Sequence, residues 1–253
     1  MRVTILGCGT SGGVPRVGGD WGACDPTEAK NRRRRCSILV ESERTSVLVD
    51  TAPDLREQLL DAEVTKLDAV IWTHEHADQV HGIDDLRGLY IRTGRALPGY
   101  AAPFTLPILT QRFGYCFAAS AGTGYPPIVD LAPISGPLMV GDIDFRPFEQ
   151  DHGFGARSLG FRFGDAAYSN DVVKLSEEAF TILKGVKLWI VDAMRYRPHP
   201  THSHLEQTLG WIARVKPERA ILTNMHIDLD YRQLCRELPP GVEPAYDGMV
   251  LDV

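Results

Sequence analysis

Short apolar runs of strand length recur along the chain, and most break on a turn residue or an aspartate. "RVTIL" at residues 2–6 reads as a buried strand that runs into a Gly-rich loop, "GCGTSGGVPRVGGDWG", which cannot be helical. "CSILVES" and "TSVLVD" alternate β-branched residues on either side of Glu43 and Arg44 and predict a hairpin. Pro53 opens a predicted helix through Leu60, with Asp54 and Glu57 near its positive end. "LDAVIWT" is a further strand, and "DDLRGLY" is predicted helical. Residues 93–137 are rich in Gly, Pro and Ala and are expected to form an irregular insertion. Strands resume at "PLMV", "IDFRPFE", "SLGFRF" and "AAYSND". A helix over 176–184 then precedes the strand "KLWIVDA", and the helix "LEQTLGWIARV" precedes "RAILTN". A short helix and the strand "MVLDV" close the chain. This order predicts an α/β fold in which two mixed sheets pack face to face with helices outside, as one domain over residues 1–253.

Composition narrows the class. With 253 residues, 43% hydrophobic and 24% charged, the chain is that of an ordinary globular protein able to bury a large core. A formal net charge of −6 argues against broad, stable nucleic-acid binding. No run is long and apolar enough to span a bilayer, and the N-terminus enters a strand without a cleavage pattern. Five scattered cysteines make no disulfide framework, so a reducing cytoplasm is expected.

The candidate chemistry gathers in "THEHADQVHGIDDLR", residues 73–87. His74, His76 and Asp78 fall on alternate positions just after a predicted strand, so extended geometry would aim all three the same way. Neutral imidazole suits zinc, manganese and related ions, and a carboxylate adds an anionic oxygen. Other ligand-type residues also lie just past strands: Asp50, His152, Asp171 and His226. Each alone fits a turn, but all fall at the strand end where loops assemble a site.

These residues, with "GTSGGVP", "RRRRCS", "LVDTAPD", "HGIDDLR", "YSND", "THSHLEQTL", "AILTNMH" and "YDGM", resemble the metallo-β-lactamase superfamily, whose signature is His-x-His-x-Asp-His. The resemblance is strongest to the branch containing the cyclic phosphodiesterase of phosphonate degradation, near ribonuclease Z. It implies the αββα four-layer sandwich and two divalent metal ions, zinc or manganese. One ion would sit on His74, His76 and His152. The other would sit on Asp78, the position of Gln79, and His226, with Asp171 bridging. Asp50 would orient the histidine loop. The implied reaction is hydrolysis of a small phosphorylated substrate, a cyclic phosphate or nucleotide-like phosphodiester, by metal-activated water. His202 matches the position used to protonate the leaving group or grip phosphate, with His204 as a substitute.

The chain departs from that pattern in three places. Gln79 stands where the signature has its last histidine, so the second site should be weaker or favour an oxygen-loving ion. His226 lies two residues past the ungapped position, which Asn224 holds, but it is the only histidine of that segment. The early loop keeps Cys24 but has Gly19 and Trp21, so the branch's cysteine-built structural zinc is not expected. The run Arg32–Arg35 offers forked phosphate contacts, of which an extended run brings at most two to one pocket. Two other functions compete: a thioester or lactone hydrolase of the same fold, and a nucleotide- or metal-binding protein with little turnover. Residues 93–137 carry few basic groups for gripping transfer RNA and suit a pocket cover or a homodimer surface.

Overall fold

The computed structural model describes residues 1–119 and 124–253. Seven strands form the first sheet in the spatial order Met249–Asp252, Arg2–Gly7, Ser37–Glu41, Ser46–Val49, Ala69–Ile71, Leu97–Ala101, Val129–Pro133. The first three junctions are antiparallel and the last three parallel. The second sheet follows the same scheme: Lys174–Leu175, Ile143–Asp151, Arg157–Phe163, Ala166–Ser169, Leu188–Asp192, Arg219–Thr223, Val242–Pro244. Here too the junctions turn from antiparallel to parallel, and Leu138–Val140 pairs with the outer flank of Ile143–Asp151.

Both faces of the central strands are apolar, which is why the sheets are sandwiched. Ile38, Val40, Val47, Val49 and Ile71 face the second sheet and pack with Phe145, Phe161, Phe163 and Trp189. Their neighbours Leu39, Leu48, Val70 and Trp72 point the other way, under Leu55, Leu59, Val80, Ile83 and Leu109 from the covering helices. Period-two alternation with both phases apolar therefore builds four layers. No described helix is long and apolar enough to cross a membrane.

The segment 93–137 is not the irregular insertion expected. It supplies the strand Leu97–Ala101, the edge strand Val129–Pro133 and the helix Leu106–Phe117; residues 120–123 lie outside the described residues. Pro98 and Gly99 hide the first strand from propensity, yet Gly99 is required there. A Cβ would come within 2.4 Å of Val129 and 3.0 Å of Trp72.

The parallel strands of both sheets end on the same side, and three of those ends carry a residue in left-handed backbone conformation. Asp50 follows Ser46–Val49 at φ 67°, Asp171 lies two residues past Ala166–Ser169 at φ 52°, and Asn224 follows Arg219–Thr223 at φ 58°. Non-glycine residues adopt this region at a cost of roughly 1–3 kcal/mol each, and Asp and Asn bear it best. Asn224 and Asp171 meet at these strand ends in a hydrogen bond, and Asp50 takes the amide and hydroxyl of Thr73, next to His74.

Candidate metal centre

His74 lies three residues past the strand Ala69–Ile71, after Trp72 and Thr73, and is almost wholly buried. Strand geometry does not continue through the ligands. A short helix, Ala77–Val80, begins after His76, so Asp78 and Gln79 reach the centre from a helical turn instead of continuing an alternation. His74, His76, His152 and Asp171 bring one ligand atom each to within 4.8 Å of one another. His152 lies at the end of Ile143–Asp151, and its Nε2 is 3.1 Å from Nδ1 of His76. His74 Nε2 is 3.2 Å from Asp171 Oδ2.

Two of the three imidazoles have their tautomer fixed from behind. His152 Nδ1 donates to the Thr201 carbonyl over 2.8 Å, which leaves Nε2 as a bare lone pair. Gly153, at φ 81°, lets the Thr201 loop come this close, because a Cβ there would lie 2.4 Å from the Pro200 carbonyl. Thr73 gives its one hydroxyl proton to buried Asp50, at 2.9–3.0 Å, so its oxygen accepts from His74 Nδ1 at 3.1 Å. The Thr73 amide also donates to Asp50, at 2.8 Å. His74 Nε2 therefore faces inward unprotonated, buried and without a hydrogen-bond donor. Burial pushes the His74 pKa down to about 3, aided by the neighbouring histidines against Asp171. Burial and His152 also lower that of His76. Converging neutral nitrogens plus one carboxylate are the donor set of a divalent transition-metal ion, and this arrangement fits one.

This chain of support gives a direct test. Thr73→Val keeps shape and removes the hydroxyl that fixes His74. Metal affinity is expected to fall ~10–100-fold, measured by competition with a chromophoric chelator. Unchanged affinity would mean that the tautomer is set elsewhere.

Asp171 is the hub. Its Oδ2 accepts from Gln79 Nε2 at 2.8 Å and its Oδ1 from Asn224 Nδ2 at 2.6 Å. Burial opposes its charge, but His202, His74, His152 and the Gln79 amide outweigh it and hold its pKa below the ordinary carboxylate range. Asp78 lies outside the four-residue cluster, with its Oδ2 3.2 Å from Gln79 Nε2. Burial, with help from Asp171, pushes its pKa up to about 7.

His202 forms the other wall. Its Nδ1 is 3.0 Å from Asp192 Oδ2 and 3.5 Å from Asp171 Oδ1. Burial works against its charged form, yet Asp192, Asp171 and Asp78 together raise its pKa to about 9. His204, expected as a substitute, is the residue before helix Leu205–Val215, and its imidazole makes no contact with the cluster among the described residues.

Two further expectations need correction. His226 does not enter the centre. Its ring lies against Arg16 and Asp228, because the left-handed turn at Asn224 spends the first residue after the strand on the site and sends the chain away. The arginine run is largely structural. Buried Arg33 holds the Leu229 carbonyl at 2.7 Å and the His226 carbonyl at 3.3 Å, Arg34 pairs with Asp61, and Arg35 pairs with Asp54. Sequence reasoning missed Asp192, although "LWIVD" ends on an aspartate as "VLVD" does.

The beta-lactamase superfamily domain matches residues 45–227. The chain belongs to this superfamily. A crystal structure described as a new diphosphatase from the PhnP family is 34% identical, covers 100% of this chain and 97% of its own, and superposes with a TM-score of 0.91. Zn(2+)-bound PqqB from Methylobacterium extorquens shares the fold at 18% identity and a TM-score of 0.78, with 100% of both chains covered. A protein named octanoyltransferase from Porphyromonas gingivalis is 33% identical over 98% of this chain. That match spans only 51% of the octanoyltransferase, so this chain covers about half of it. The superfamily member described here is a metal-dependent hydrolase with a histidine–aspartate centre for a divalent ion.

Proposed function

We propose that this hydrolase cleaves a phosphoric ester or anhydride bond in a small molecule, of which a nucleotide-like diester or diphosphate is the favoured form. The observation that carries the reading is the likeness to the PhnP-family diphosphatase, which runs the whole length of the chain at 34% identity. His74, His76, His152 and Asp171 would hold the ion, which supplies a Lewis acid and lowers the pKa of water. Asp50 and Thr73 keep the histidine loop in register. His202, with Nδ1 committed to Asp192, has Nε2 left to give a proton to the departing oxygen. Zinc and manganese both suit three imidazoles and a carboxylate.

A second reading, hydrolysis of an acyl thioester, has one observation in its favour: the match to half of the octanoyltransferase. The other half of that protein lies outside the match, so its name need not describe the shared part. The metal-loaded enzyme assayed on bis(p-nitrophenyl) phosphate, nucleoside diphosphates, and octanoyl thioesters separates the two. Turnover of the phosphorus substrates with kcat/KM at least ~10²-fold above the thioester is expected. The reverse order would overturn the phosphoryl reading.

A further inference from the structure

Paired-ion sites depend on a second set of strong donors around the shared carboxylate, and this chain has amides at both of the relevant places. Gln79, fully buried on the helix Ala77–Val80, directs Nε2 to Asp171 Oδ2 at 2.8 Å and to Asp78 Oδ2 at 3.2 Å. Reversing the amide would set its oxygen against two carboxylates, so the NH2 group belongs there. Asn224, 1% exposed, directs Nδ2 to Asp171 Oδ1 at 2.6 Å. The same Nδ2 lies 3.1 Å from His202 Nδ1. The imidazole of His226 replaces neither of them, being turned away against Arg16 and Asp228. Both oxygens of Asp171 thus accept amide protons, Oδ2 being also the atom that faces His74 Nε2 at 3.2 Å. The other set of ligand atoms within 4.8 Å of one another, on Asp171, Asp192 and His202, is occupied by the His202 Nδ1–Asp192 bond at 3.0 Å and by the Asn224 amide.

We propose that this hydrolase holds a single divalent cation on His74, His76, His152 and Asp171, because the amides of Gln79 and Asn224 stand where a second cation would sit and donate to both oxygens of Asp171. The inference rests on the metal-dependent reading above and adds the stoichiometry. A neutral amide oxygen is a poorer donor to zinc-like ions than imidazole, and a second ion would have to break both charge-assisted hydrogen bonds before meeting it. The amides screen Asp171 without carrying charge, so the hub keeps its full negative charge for the one ion beside it. Asn224 has a further positioning role: it lies between Asp171 and His202 and fixes the distance between the ion's carboxylate and the proton-carrying imidazole.

The test is a titration of the metal-free full chain with Zn2+ and with Co2+, followed by calorimetry, by the visible Co2+ bands, and by elemental analysis after desalting. One equivalent per chain with a single set of Co2+ bands is expected. The variant Gln79→His/Asn224→His is expected to take up two equivalents, with a second set of bands. Two tightly held equivalents in the unaltered chain would overturn the single-ion inference and leave the hydrolase reading standing. A folded double variant that still binds one would overturn the assignment of these two side chains to the second position. Should the double variant fail to fold, the unaltered chain decides alone. No binding at all would overturn the metal-dependent reading together with this one.

Discussion

Asp171→Asn abolishes tight metal binding and lowers kcat/KM by at least ~10³-fold, equivalent to about 4 kcal/mol of transition-state stabilisation. Asparagine keeps the size of the side chain and tolerates the left-handed backbone at φ 52°, so loss of charge is the main change. Three neutral imidazoles remain, but no anion is left beside them to favour a dication. The substitution also puts one NH2 group against the donors of Gln79 and Asn224, which now reach it at 2.8 Å and 2.6 Å. An orphaned buried donor costs roughly 1–3 kcal/mol, so the melting temperature of the metal-free protein should drop as well. Elemental analysis, kcat/KM and calorimetry read the three effects separately. A variant that keeps its ion and loses less than ~10-fold in rate would show that Asp171 is not the hub of the centre.

Asp171 also shows how far the sequence could be read. The strand "AAYSND" and its terminal carboxylate are visible as pattern, and so are Asp50 and the histidine pair. Each is a local signal: an apolar run that fixes a direction, then a polar residue where the run stops. Both sheets and their flanking helices follow from the same logic, since central strands apolar in both phases must be covered on both faces.

What stayed hidden was set by backbone geometry or by distant partners. Pro98 and Gly99 are poor strand residues, and only the packing of Trp72 and Val129 makes the glycine necessary. Asp78 looked like a third member of an alternation until the helix at Ala77 changed the period. His226 was chosen by residue type over Asn224, whereas the turn at φ 58° gives the inward place to the first residue after the strand. Asp192 required knowing that the strand Leu188–Asp192 lies beside Ala166–Ser169, in parallel register, so that its carboxylate comes under His202. Residue chemistry is legible one position at a time; convergence is not.

That last pair, His202 on Asp192, sets the second large effect. His202→Gln leaves the ion in place, because none of the three imidazoles or Asp171 is removed, and the glutamine can still bond to Asp192. The rate should then depend on what departs. A basic alkoxide leaving group needs a proton as its bond to phosphorus breaks, and a positioned acid contributes typically ~10²–10⁴-fold there. A p-nitrophenolate leaves as the anion and needs little help. The variant is therefore expected to lose ~10³-fold in kcat on alkyl esters and less than ~10-fold on p-nitrophenyl esters, with metal content unchanged. A residue that only gripped the phosphate would act differently: both substrates would suffer alike, and mainly in KM. Equal losses on the two esters would remove His202 from the proton-donor role and leave it as an anion contact on the wall opposite the ion.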